Sequence, residues 1–113
     1  MAYPINRQFD EHAVYATTAS IAATPSAGST LATKKGRITR VYGFPEGAAS
    51  GTIAIAVSLN GGSSAGSVSF TAGTNVGGGG EVNIPVNEGD TITFTPSGGT
   101  GSSIAGHFYA IIR

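Results

Sequence analysis

Residues 52–59 read TIAIAVSL, and Asn60-Gly61-Gly62 follows at once. Ile53, Ile55, Val57 and Leu59 alternate with Thr52, Ala54, Ala56 and Ser58. A period of two commits the segment to a strand with one buried face. Asn-Gly supplies the positive φ angles of a tight hairpin. The return strand is expected at 66–71, with Val68 and Phe70 inward. A chain that contains this hairpin must build antiparallel sheet.

The rest of the sequence keeps the same pattern. Residues 81–86 put Val82, Ile84 and Val86 on one face. Pro85 has no N–H, which assigns this strand to a sheet edge or to a break in the ladder. Asn87-Glu88-Gly89-Asp90 reads as a turn. Ile92 and Phe94 then point inward from a strand at 91–95. The last strand is expected at 103–112. Its apolar residues occupy both faces, as in a central strand or one covered by a neighbouring subunit. Upstream, 36–44 reads as a strand with Ile38, Arg40, Tyr42 and Phe44 on one face. A short strand or its lead-in falls at 29–33. The alanines of 13–23 allow a helix, but Val14, Thr17, Thr18 and Ile21 lower helix propensity and Pro25 stops the segment, so a strand is expected. Residues 72–80, which include four consecutive glycines, read as a mobile loop between strands.

Seven or eight short strands separated by Gly, Ser, Asn and Pro turns predict an all-β fold. The expected form is an antiparallel, jelly-roll-like β-sandwich. The expected division is an extended N-terminal arm over 1–12 and one sandwich domain over 13–113. Ile, Leu, Val and Phe make up only about a fifth of the chain, near the lower limit for an ordered domain. So thin a core gains from burying more surface in an oligomer.

Charge narrows the functional classes. Lys+Arg and Asp+Glu number six each, and charged residues are 11% of the chain. A free nucleic-acid binder normally carries a clear basic excess. Cations nevertheless concentrate before residue 45 and carboxylates after it, so the halves can attract within or between subunits. The absence of cysteine removes disulfides and thiolate sites. MAYPINRQFDEH has no apolar signal-peptide region, and no apolar run is long enough to span a membrane.

Catalytic constellations are scarce. Gly62-Ser63-Ser64-Ala65-Gly66 matches G-x-S-x-G, but that nucleophile elbow needs a following helix where a strand is expected. His12 beside Asp10 and Glu11 makes a poor preorganised metal site in a terminal arm. His107 reads as a packed or interface histidine. The glycine run lacks the Lys and helix of a phosphate loop, since Glu81 and a strand follow it. No enzyme activity, cofactor or metal is expected. The basic cluster Lys34, Lys35, Arg37 and Arg40 does not form one stripe on an ideal strand. It reads as a solvated edge, as a contact for an acidic protein, or last as a nucleic-acid contact.

The strings GRITRVYGF, SGTIAIAVSLNGG, VNEGDTITFTPSGG and AGHFYAIIR resemble the small β-sandwich proteins of tailed bacteriophages. These include capsid decoration (cement) proteins and fibre or spike tip domains. The resemblance implies a structural virion protein on the outer capsid surface, a homotrimer that binds the major capsid protein. Tyr3, Ile5, Arg7 and Phe9 of the arm, with Lys34, Lys35, Arg37 and Arg40, would face the shell. The alternative is a carbohydrate- or receptor-binding sandwich of a fibre or spike. Sugars stack on exposed aromatic rings; with Phe70, Phe94 and Phe108 internal, Tyr3, Tyr15, Tyr42 and Tyr109 are the candidates.

Overall fold

A computed structural model describes residues 11–113. Ten strands run in chain order: β1 (His12–Thr18), β2 (Gly28–Leu31), β3 (Gly36–Pro45), β4 (Ala49–Ser50), β5 (Thr52–Leu59), β6 (Ser64–Thr71), β7 (Gly78–Val86), β8 (Thr91–Ser97), β9 (Thr100–Gly101) and β10 (Gly106–Ile112). Eight of them form two four-stranded sheets, β1-β10-β3-β7 and β2-β8-β5-β6. The short β4 and β9 pair with each other.

The pairing has a simple origin. β5 and β6 form the Asn-Gly hairpin, with positive φ at Asn60 (54°) and Gly61 (76°). Moving outward along the chain, β3 pairs β7, β2 pairs β8 and β1 pairs β10, all antiparallel. One long hairpin is thus rolled so that successive pairs alternate between sheets, which is the jelly roll. The expected all-β sandwich is the observed fold.

The inner faces meet in one apolar cluster. Phe94 of β8 and Phe108 of β10 stack across the sheets with centroids 5.3 Å apart and planes 14° apart. Ile38, Val41, Ile53, Ile55, Ile92 and Ile112 are fully buried around them. At roughly 25 cal/mol per Å² of apolar surface, burial of such side chains is the main favourable contribution to folding. β10 lies between β1 and β3, which accounts for its apolar residues on both faces. β7 is a sheet edge, as Pro85 requires.

Four expectations change in detail. The first strand ends at Thr18, and a loop carries Ile21 into the core, where its N–H bonds the Ile104 carbonyl at 2.8 Å. The last strand starts at Gly106 and not at 103. Gly78–Gly80 are not loop: they pair with Gly43, Tyr42 and Val41 of β3 as the first residues of β7. Finally, the ladder between β3 and β10 shifts register, so that Ile111 faces Arg40 while Ile112 faces Ile38. Thr39 is the extra residue. A bulge inverts the in–out alternation beyond it. Ile38 therefore faces the core, whereas Arg40, Tyr42 and Phe44 face solvent.

Candidate functional site

The outer face of the β1-β10-β3-β7 sheet gathers the chemistry-bearing side chains. Each strand places its residues there by alternation. β10 presents His107, Tyr109 and Ile111, since Phe108, Ala110 and Ile112 point inward. β1 presents Tyr15, 52% exposed, between buried Val14 and Ala16. β3 presents Arg37, and beyond the bulge Arg40, Tyr42 and Phe44.

Register brings three tyrosines into one row. Tyr109 is directly opposite Tyr15 on one side and Tyr42 on the other. The Tyr42 and Tyr109 rings lie 5.1 Å apart at 36°. One step along, Phe44 faces His107, with centroids at 4.7 Å and planes 19° apart. Tyr15 reaches this imidazole from β1, the strand on the other side of β10, with centroids 5.5 Å apart and planes 27° apart. Both imidazole nitrogens are engaged: Nδ1 with the Tyr15 hydroxyl, Nε2 with Glu46 Oε1 at 2.8 Å. A carboxylate accepts only, so Nε2 carries a proton and, in the neutral ring, Nδ1 accepts from the tyrosine. His107 thereby fixes two aromatic side chains, Tyr15 and Phe44, in place.

The row runs into a cleft of about 400 Å³, lined by Tyr42, Phe44 and Tyr109 and, from the β6–β7 side, by Asn75, Gly77 and Gly78. That volume falls in the range of small-ligand sites. The glycines make it possible. Gly77 and Gly78 line it with bare backbone, and a Cβ on Gly77 would fall 2.3 Å from the Phe44 Cβ. The Asn75 N–H bonds the Gly47 carbonyl at 3.1 Å, which ties the loop between β6 and β7 to the turn after β3.

The other end of this face is cationic. Arg40 donates to the Tyr42 hydroxyl at 3.2 Å and to Glu81 Oε1 at 3.0 Å. The Tyr42 hydroxyl first, and Glu81 after it, hold the Arg40 pKa above its ordinary value. Arg37 donates to Asn83 Oδ1 at 2.9 Å. A second cleft, of about 570 Å³, is lined by Lys35, Arg37 and Arg113 with Pro85, Val86 and Asn87.

Of the residues expected to contact a partner, Lys34 and Lys35 lie between β2 and β3, and Arg37 and Arg40 share the outer face because of the bulge. Tyr3, Ile5, Arg7 and Phe9 lie outside the described residues. Tyr15, Tyr42 and Tyr109, candidates for sugar stacking, come together. Phe44 and His107 were not legible as part of that set: alternation assigned Phe44 to the face of Ile38, and only the bulge separates them. Ser64 opens β6 and donates to the Gly66 carbonyl at 3.1 Å, so the G-x-S-x-G stretch is a hairpin and not a nucleophile elbow. Among the described residues no group of three His, Cys, Asp or Glu converges as a metal site.

No family model matches the chain, and no curated protein sequence matches it. Solved structures do. The CBM36-1 domain of a multidomain xylanase from the hindgut metagenome of Trinervitermes trinervoides aligns with a TM-score of 0.54 and 13% identity, over 90% of this chain and 97% of that one. The exo-β-1,3-galactanase of Phanerochaete chrysosporium, with galactose bound, aligns with a TM-score of 0.51 and 16% identity over 83% of this chain. This chain covers 22% of the galactanase. At such identities the likeness concerns the fold: the chain is built as a β-sandwich of the kind seen in carbohydrate-binding modules.

Proposed function

We propose that the protein is a carbohydrate-binding β-sandwich and that its glycan lies on the outer face of the β1-β10-β3-β7 sheet. The observation that carries this reading is the row Tyr15–Tyr109–Tyr42, flanked along the strands by the stacked Phe44–His107 pair and open at its Tyr42 end to a glycine-lined cleft. Aromatic rings offer apolar faces to the C–H faces of sugars, and tyrosine hydroxyls and Asn75 offer hydrogen bonds to their hydroxyls. Because the row is already ordered, little side-chain freedom is lost when a ligand binds. The names of the similar solved structures, a xylanase's carbohydrate-binding domain and a galactanase with galactose, support the same class of ligand. The role is recognition and not catalysis.

Exposed tyrosines also suit a protein interface. Capsid decoration as a homotrimer is therefore a second proposal, resting on the phage resemblance. The cleft beside Tyr42 favours the glycan, because it is concave and its far wall is glycine backbone with the polar side chain of Asn75. A glycan array followed by titration calorimetry tests the reading. A specific ligand is expected, with Tyr42→Ala and Tyr109→Ala each weakening it about tenfold while the fold persists. A blank array, combined with hundreds of copies per virus particle by mass spectrometry, would replace the glycan reading with decoration.

A further inference from the structure

The basic end of the face is built against its own stability. Arg37 and Arg113 exchange both backbone hydrogen bonds, at 3.0 and 2.8 Å. They are thus a directly opposed antiparallel pair, and their side chains project from the same surface. Like charges directly opposite one another destabilise a sheet. Lys35 lines the same cleft as a third cationic side chain, and no acidic side chain lines it. Nearby acids compensate only in part. Glu11 approaches Arg113 Nε no closer than 3.9 Å, Glu81 is taken by Arg40, and Glu88, in the turn after Asn87, is outside the lining. Lys35 has no ion pair among the described residues, and Arg37 bonds a neutral amide. The bulge at Thr39 adds Arg40 to this surface, between the cleft and the tyrosines.

We propose that this end takes the carboxylate or sulfate groups of an acidic polysaccharide whose neutral rings lie on the tyrosine row. The inference rests on the glycan reading above and names its substrate class. Geometry supports one continuous ligand. Tyr42 and Arg37 lie on the same strand, roughly 15 Å apart at ~3.3 Å per residue. That is the length of a short oligosaccharide, not of one ring. Nucleic acid fits less well. It carries a phosphate at every step, and a groove that binds it tracks cations along its whole length, whereas here the cations end where the aromatic row begins.

The test uses the full chain and three probes: glucuronate-bearing xylan, polygalacturonate and chondroitin sulfate. Each is compared with its carboxyl-reduced or desulfated form by affinity electrophoresis and calorimetry, beside a single-stranded DNA oligonucleotide. At least one acidic probe is expected to bind about fivefold more tightly than its neutralised form at low salt. The advantage should vanish at high salt, as exposed charges are screened. Lys35→Gln/Arg37→Gln should lose the advantage and keep the affinity for the neutralised polymer. Equal binding of acidic and neutralised forms would overturn the inference and leave the glycan reading intact. Tighter binding of the DNA, lost in the same variant, would overturn it in favour of nucleic acid. Failure of every polysaccharide, acidic and neutral, would remove both the inference and the reading beneath it.

Discussion

Asp90 shows how much one half-buried residue organises. Its Oδ2 accepts from the Asn87 N–H at 2.8 Å, closing the turn before β8. Its Oδ1 accepts from the Asn60 amide at 3.1 Å, and Asn60 in turn accepts from the Thr91 N–H at 2.9 Å. The Asn87 N–H, and then the Asn60 amide, hold the carboxyl below its ordinary 3.8. A depressed carboxyl stabilises the fold at every pH above its unfolded value, and the contribution fades as pH falls through the lower folded value. Asp90→Asn should therefore melt below wild type from neutral pH down to about pH 5. The two melting curves should converge as pH drops below the ordinary aspartate range. Parallel curves down to pH 2 would show that the charge contributes nothing. The turn itself was legible from Asn-Glu-Gly-Asp, and so was the Asn60-Gly61 hairpin. The bond between the two was not, because 30 residues separate its partners. The aromatic site divides in the same way. Alternation identifies Tyr15 and Tyr109 as outward residues, but Phe44 and Tyr42 turn outward only through the bulge at Thr39. No local signal marks that bulge.

At the scale of the element, the glycine run is the instructive case. Four glycines read as a loop because glycine weakens a strand interior and offers nothing to pack. β7 uses them differently. A Cβ on Gly79 would fall 1.9 Å from the Val41 carbonyl oxygen and 2.8 Å from the Tyr42 Cα, and one on Gly77 would fall 2.3 Å from the Gly43 oxygen. The chain can run there because it has no side chains at these positions, Gly77 just before the strand and Gly79 within it: close approach to β3 excludes them. Gly80 is the exception, since its Cβ would meet only Val68 Cγ1 at 3.7 Å, an ordinary contact. The two neighbours should part company on mutation. Gly79→Ala should cost at least about 1–3 kcal/mol by overpacking and weaken glycan binding with it. Gly80→Ala should be neutral or stabilise by a few tenths of a kcal/mol, because it reduces the freedom of the unfolded chain. Chemical denaturation of both variants decides the matter. Equal losses would mean that the run acts through flexibility and not through close approach.

At the scale of the molecule, the order of events in folding follows from the rolled hairpin. The Asn-Gly hairpin of β5 and β6 closes a short loop, whereas Tyr15 and His107, 92 residues apart, meet only when β1 and β10 pair. Loop-closure entropy rises with separation, so local pairing precedes distant pairing and the whole folds slowly, in milliseconds to seconds. The individual strands were legible in the sequence because each carries its own alternation. The sheet order was suggested only by strand number and turn type, since the partner of a strand is not encoded within it. Mutants can expose the same asymmetry. Ile55→Val, in the central hairpin, should cost about 0.5–1.5 kcal/mol. Phe108→Leu, in the last strand, should cost about 1–2 kcal/mol through lost stacking on Phe94. Both losses are large enough for rate analysis. If the hairpin nucleates the fold, Ile55→Val slows folding and leaves unfolding nearly unchanged, while Phe108→Leu chiefly speeds unfolding. Stopped-flow measurements across a denaturant series give both rates for each variant. The reverse partition, with Phe108→Leu slowing folding by its full equilibrium loss, would mean that the two sheets meet across Phe94 and Phe108 before the hairpin is complete.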